Sequence, residues 1–200
     1  YEEERELTMM LVVDVSSSGA FGTTDRFKRT VMTEIAAVLA FSAAENNDKV
    51  GCLLFSDRIE KFIPPKKGRS HILMIIRELL EFRPAGKGTS LSEPMKYLTN
   101  AIKKRCTTFL LSDFIDSPSD RAGLEKVMKI ASGKHDIVAI RVYDPRETEL
   151  PDVGLMEVVD AESGARRVVD TSSAAVREAY AAHWLEEKSA MDHLLERARV

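Results

Sequence analysis

Short, continuous apolar runs alternate along this chain with longer stretches in which apolar residues recur every three or four positions. The runs Leu7 to Val15, Val50 to Phe55, Thr107 to Leu111 and Ile137 to Val142 read as strands buried on both faces. Between the first two, Phe27, Val31, Ile35, Val38 and Phe41 follow helical spacing. Thr24 or Asp25 is placed to cap the start and Asn46-Asn47-Asp48 to stop it, so a helix of about five turns is expected. Ile59 to Ile63 alternates and is closed by Pro64-Pro65, which predicts an edge strand joined to its predecessor through Ser56-Asp57-Arg58.

Further helices are predicted over Arg69 to Phe82, Ser90 to Lys104 and Ser119 to Ala131, the first two separated by the turn Arg83-Pro84-Ala85-Gly86-Lys87-Gly88. Strand and helix thus alternate, which implies a doubly wound, mostly parallel α/β sheet with helices on both faces. A ligand site is then expected beyond the carboxyl ends of the strands. After Asp144-Pro145 the texture becomes polar. Leu155 to Val159 and Arg167 to Val169 flank Glu162-Ser163-Gly164-Ala165 as a hairpin, and a last helix offers Val176, Tyr180, Trp184, Met191, Leu194 and Leu195 to the core. Residues 1–145 form the α/β core in this reading, and 146–200 a hairpin and helix that complete the same domain.

Two hundred residues with 29 basic and 32 acidic side chains suit one soluble domain and offer no basic footprint for nucleic acid. Cys52 and Cys106 lie inside apolar runs, which predicts free thiols, a reducing compartment and a cytoplasmic location. The apolar run ended by Asp14 is far short of the roughly 20 residues that cross a bilayer. The chain opens at Tyr1 rather than Met, and its last helix reaches Val200 without a stop, so it reads as a piece of something longer.

The chemistry gathers at strand ends. The first strand finishes Asp14-Val15-Ser16-Ser17-Ser18, and alternation lets Asp14, Ser16 and Ser18 point the same way. The fourth finishes Ser112-Asp113, which brings a second carboxylate to the same edge, while Thr89 precedes a helix from a loop there. Hydroxyls with two carboxylates suit a hard cation such as Mg²⁺ and leave it electrophilic. No base stands beside a nucleophile, which points to binding rather than turnover. Gly86-Lys87-Gly88-Thr89-Ser90 lacks the order of a phosphate loop, and His71, His135, His183 and His193 show no zinc spacing and are expected at the surface. Thr89 and Ser90 compete as helix caps, and one can cap while the other stays free.

At Asp14, Ser16, Ser18, Thr89 and Asp113 the sequence resembles the von Willebrand factor A (vWA) domain, a Rossmann-like fold whose metal-ion-dependent adhesion site has the pattern Asp-x-Ser-x-Ser, then Thr, then Asp. The resemblance implies that these five residues hold Mg²⁺, with Mn²⁺ or Ca²⁺ as alternatives, and that a protein partner completes the shell with an acidic side chain. More narrowly, Tyr1 to Glu6, Phe21-Gly22, Asp48 to Gly51, Phe55-Ser56-Asp57, Gly88 to Leu91 and Asp144-Pro145-Arg146-Glu147 are similar to the bacterial branch called domain of unknown function 58. Gly19 stands where many members carry Met. That branch implies an adaptor or co-chaperone for a MoxR-type AAA+ ATPase in complex assembly or metal-centre insertion. A Mg²⁺-dependent phosphatase or phosphotransferase and a metal-free scaffold are the alternatives. Val15-Ser16 weighs against the first, because the haloacid dehalogenase-like pattern places a second Asp two positions after Asp14.

Overall fold

The computed structural model of the chain describes residues 7–16, 24–86, 88–115, 118–144, 147–159 and 166–200. Ser18 and Gly19, the turn 162–165 and the side chains of Thr24, Asp25 and Phe27 lie outside the described residues. The elements run β1 (Thr8–Asp14), α1 (Thr24–Glu45), β2 (Lys49–Phe55), β3 (Ile59–Lys66), α2 (Arg69–Glu81), α3 (Ser92–Ala101), β4 (Thr107–Ser112), α4 (Pro118–Lys134), β5 (Asp136–Arg141), β6 (Leu155–Val159), β7 (Arg166–Asp170) and α5 (Ala174–Arg197).

Five strands form one sheet in the order β3-β2-β1-β4-β5, in which only β3 is antiparallel to its neighbour. The chain leaves β1 toward β2 on one side and returns to β4 on the other, so the carboxyl ends of β1 and β4 frame a topological switch point. Strand alternation splits β1 between two cores. Met10 and Val12 join Leu110, α3, α4 and the end of α5 on one face, whereas Met9, Leu11 and Val13 join Leu111, α1 and α2 on the other. The hairpin β6–β7 is a separate two-stranded sheet. Among the described residues, no helix is long and apolar enough to cross a membrane.

Several expectations change. Helix α3 spans Ser92–Ala101, shorter than the Ser90 to Lys104 predicted for it. Ser90 Oγ accepts the Glu93 N–H (3.3 Å) just outside the helix, which leaves Thr89 for other work. The sheet-facing stripe of α1 is Met32, Ala36, Ala40 and Ala43, while Val38 points to solvent. Small side chains let the helix approach the sheet closely, and spacing of the bulky residues alone hides that. In α5 only Met191, Leu194 and Leu195 are buried; Tyr180 is exposed, and Trp184 packs against Tyr143 (ring centroids 5.3 Å apart) outside the core. His135 is fully buried rather than at the surface, because the chain reverses there between α4 and β5 and turns its Nδ1 toward Cys106 Sγ (3.2 Å).

Candidate metal centre at the β1–β4 edge

Asp14 is the last residue of β1, paired in register with Phe55 of β2. Its side chain shares the face of Met10 and Val12, and so does Ser112, two residues beyond Leu110 on β4. Ser112 Oγ accordingly donates to Asp14 Oδ2 (2.6 Å). The other carboxylate oxygen, Oδ1, accepts the Ser16 N–H (2.9 Å) and the Ser16 hydroxyl (2.5 Å). Ser16 Oγ in turn lies 2.7 Å from Thr89 Oγ1. Three residues from two distant stretches thus share one line of oxygens.

The loop bearing Thr89 is pinned from β2 and β3. Ser56, just past β2, accepts the Ser90 N–H on its carbonyl (3.0 Å). Glu60 on β3 gathers three donors on one oxygen: Ser56 Oγ (2.7 Å), Ala85 N (3.0 Å) and Gly86 N (2.8 Å). These donors, with Arg58 nearby, outweigh burial and hold the Glu60 carboxyl below the usual carboxylate range. A Cβ at Gly86 would overlap Asp57 Oδ1 and Ser56 Oγ, so any side chain there forces both to move and disturbs the Ser56–Glu60 hydrogen bond.

Asp113 faces the opposite way. Alternation sends it to the side of Leu111 and α1, where its Oδ2 accepts from Lys28 Nζ (3.0 Å) and its Oδ1 from the Ile115 N–H (3.0 Å). Lys28 reaches Glu147 Oε1 as well (2.9 Å), and its side chain is only 5% exposed. Burial pulls the Lys28 ammonium down, but Asp113 and Glu147 together raise it above the ordinary lysine value. Next to Asp113, Phe114 adopts φ +60° and is held there by its own N–H to Ser112 Oγ (3.0 Å), by ring burial and by Arg141 5.5 Å from the ring centroid.

The charges do not balance around Asp14. Burial, with the Asp113 carboxylate adding to it, pushes Asp14 up to about 6 despite hydrogen bonds from Ser112 and Ser16. Lys28 compensates Asp113, whereas Asp14 receives only hydroxyls and one N–H from the described residues. Among the described residues, no three His, Cys, Asp or Glu side chains cluster for a metal, so a cation here would draw on hydroxyls and carboxylates together. The spacing fits. Neighbouring ligands on an octahedral ion at about 2.1 Å lie about 3.0 Å apart, so separations of 2.5 Å and 2.7 Å need only spread by a few tenths of an ångström.

Of the five residues singled out by sequence, Asp14, Ser16 and Thr89 are joined by hydrogen bonds, Asp113 lies at the same edge but bonds toward α1, and Ser18 is outside the described residues. Sequence reasoning missed Ser112, Lys28, Glu60 and Glu147. For Ser112 the cue was present, since alternation from Leu110 puts it beside Asp14. Lys28 carried no comparable cue among the neighbouring basic residues Arg26 and Arg29.

The mostly parallel sheet, with its switch point and its hydroxyl and carboxylate donors at the rim, has a vWA-like α/β fold. The chain belongs to the family described as protein of unknown function DUF58, whose model matches residues 1–190. The uncharacterized protein Rv1480 of Mycobacterium tuberculosis is 31% identical over 166 residues, which make up 82% of this chain and 51% of that one. The chain therefore spans about half the length of that curated relative. Similar folds include the conserved hypothetical protein BatB of Bacteroides thetaiotaomicron (TM-score 0.58, 13% identity, 97% of this chain and 100% of that one). Another is proximal thread matrix protein 1 of the mussel byssus, whose structure has a zinc-occupied MIDAS motif (TM-score 0.53, 16% identity, 68% of this chain and 38% of that one).

Proposed function

We propose that this domain is a divalent-metal-dependent protein-interaction module in which Asp14, Ser16, Ser18, Thr89 and Asp113 hold one Mg²⁺ or Mn²⁺. The observation that carries the reading is the Ser16 hydroxyl, 2.5 Å from Asp14 and 2.7 Å from Thr89, beside a buried carboxylate with no cationic side chain bonded to it among the described residues. When bound, the ion would supply a Lewis-acidic position for a carboxylate oxygen of the partner. Asp14 contributes charge, and Ser16 and Thr89 contribute neutral oxygens, so the ion stays electrophilic. Asp113, its oxygens engaged by Lys28 and the Ile115 N–H, would add its charge from the α1 side of the site. The mussel protein, of similar fold and with a zinc-occupied MIDAS motif, supports a metal-binding reading. Family likeness supplies the partner: a MoxR-type AAA+ ATPase, with this domain as adaptor or co-chaperone in the cytoplasm during complex assembly or metal-centre insertion.

Thermal unfolding with and without Mg²⁺ tests the metal. At about a hundred times its dissociation constant the ion stabilises by about 2.7 kcal/mol, or roughly 5–10 °C for a chain of this size. The increment is expected to vanish in Asp14→Ala/Ser16→Ala, and an equal increment in that variant sinks the assignment. Retention of a MoxR-type ATPase on immobilised domain in Mg²⁺, with loss in EDTA, tests the partner. Retention that ignores EDTA refutes metal dependence of the contact.

A further inference from the structure

We propose that Lys28 sets how strongly this site takes a divalent cation and keeps Asp113 from ligating it directly, with Glu147 as the second carboxylate that shares and so moderates the Lys28 charge. The inference rests on the metal reading above. Its basis is a buried three-membered bridge: Lys28 Nζ lies 3.0 Å from Asp113 Oδ2 and 2.9 Å from Glu147 Oε1, and the Lys28 and Asp113 side chains are 5% and 3% exposed.

The bridge acts through charge. A carboxylate this buried requires compensation, which Asp113 receives from Lys28 and from the Ile115 N–H. Asp14, at the neighbouring strand end, has no cation of its own among the described residues, so the demand for an added ion is focused there. An ammonium and a divalent ion that compete for one carboxylate repel each other strongly at short range. With Lys28 in place, Asp113 stays turned toward α1, and a position on the ion remains open for an outside oxygen.

Glu147 is itself built in. Its Oε2 accepts the Asp144 N–H (3.4 Å), its N–H donates to the Asp144 carbonyl (2.9 Å), and its carbonyl accepts from Tyr180 of α5 (3.0 Å). Asp144 and Tyr180 thus fix the backbone that presents the Glu147 carboxylate to Lys28. Sharing the ammonium with Glu147 moderates its hold on Asp113.

Mn²⁺ binding measured by electron paramagnetic resonance, with water-proton relaxation as a second readout, tests this on wild type, Lys28→Met, Lys28→Arg and Glu147→Gln. Lys28→Met is expected to bind Mn²⁺ about tenfold tighter or more, because the repelling charge is gone. Its relaxation enhancement per bound ion should fall as Asp113 displaces water. Lys28→Arg, which keeps the charge, should stay near wild type. Glu147→Gln should weaken binding about threefold or more, since the full lysine charge then falls on Asp113. Equal or weaker Mn²⁺ affinity in Lys28→Met than in a binding wild type overturns the role of Lys28 and leaves the metal site standing. Binding in none of the four overturns both. If Lys28→Met does not fold, Glu147→Gln decides, and unchanged or tighter binding there overturns the proposal.

Discussion

Replacing Asp14 by asparagine measures the cost of keeping an uncompensated carboxylate at the end of β1. With a folded-state pKa of about 6 against 3.8 for the ordinary side chain, the folded protein holds a proton that the unfolded chain has released between these two values. Stability from this group therefore falls as pH rises from about 4 to about 6 and stays low above that. Two units correspond to ~3 kcal/mol at neutral pH. The amide keeps an oxygen for the two Ser16 donors but faces Ser112 with an N–H, and weakened hydrogen bonds return about 1 kcal/mol or more of the gain. In EDTA at pH 7.5, Asp14→Asn is thus expected to be more stable than wild type by about 1–2 kcal/mol, roughly 3–6 °C in Tm. Near pH 4, where the charge contribution is nearly gone and the weakened hydrogen bonds remain, the sign should reverse and leave the variant less stable by about 1 kcal/mol. Urea unfolding of both proteins across pH 4–7.5 reads it directly. An Asp14→Asn variant less stable than wild type at pH 7.5, or a difference that does not change with pH, refutes the electrostatic picture.

Gly86→Ala should cost about 1–3 kcal/mol in thermal or urea unfolding, because its methyl collides with Ser56 and Asp57. By shifting the Thr89 loop it should also shrink the Mg²⁺-induced rise in Tm. Glu60→Ala removes the acceptor shared by Ser56 Oγ and the amides of Ala85 and Gly86, with an expected loss of about 1–3 kcal/mol by urea unfolding and the same reduced response to Mg²⁺. Burial, with Glu78 adding to it, pushes the Cys52 thiol up to about 12, so Ellman's reagent at pH 8 should leave it unmodified in native protein and modify it after denaturation.

The sheet was legible because strands buried on both faces leave continuous apolar runs, and the two cores that split Met10 and Val12 from Met9, Leu11 and Val13 follow from alternation alone. Asp14, Ser16 and Thr89 were legible because each stands where an element begins or ends. What stayed hidden depends on partners far away in sequence. Nothing near Lys28 announces that it reaches Asp113, 85 residues on, and the buried stripe of α1 is largely alanine, which hydrophobic spacing undervalues. His135 is buried by a chain reversal beside Cys106, a contact between strand ends rather than a local pattern. In α5, Tyr180 and Trp184 fit the helical period yet face loop residues around Tyr143 and Glu147, because period fixes a face and not what lies across from it.

Counting Mn²⁺ bound per chain by electron paramagnetic resonance, in wild type and in Asp14→Ala/Ser16→Ala, bears most directly on the claim that the oxygens at the β1–β4 edge form a cation site. One ion per wild-type chain and none in the double variant is the predicted result. Equal occupancy of the two proteins, or no ion in wild type, contradicts it.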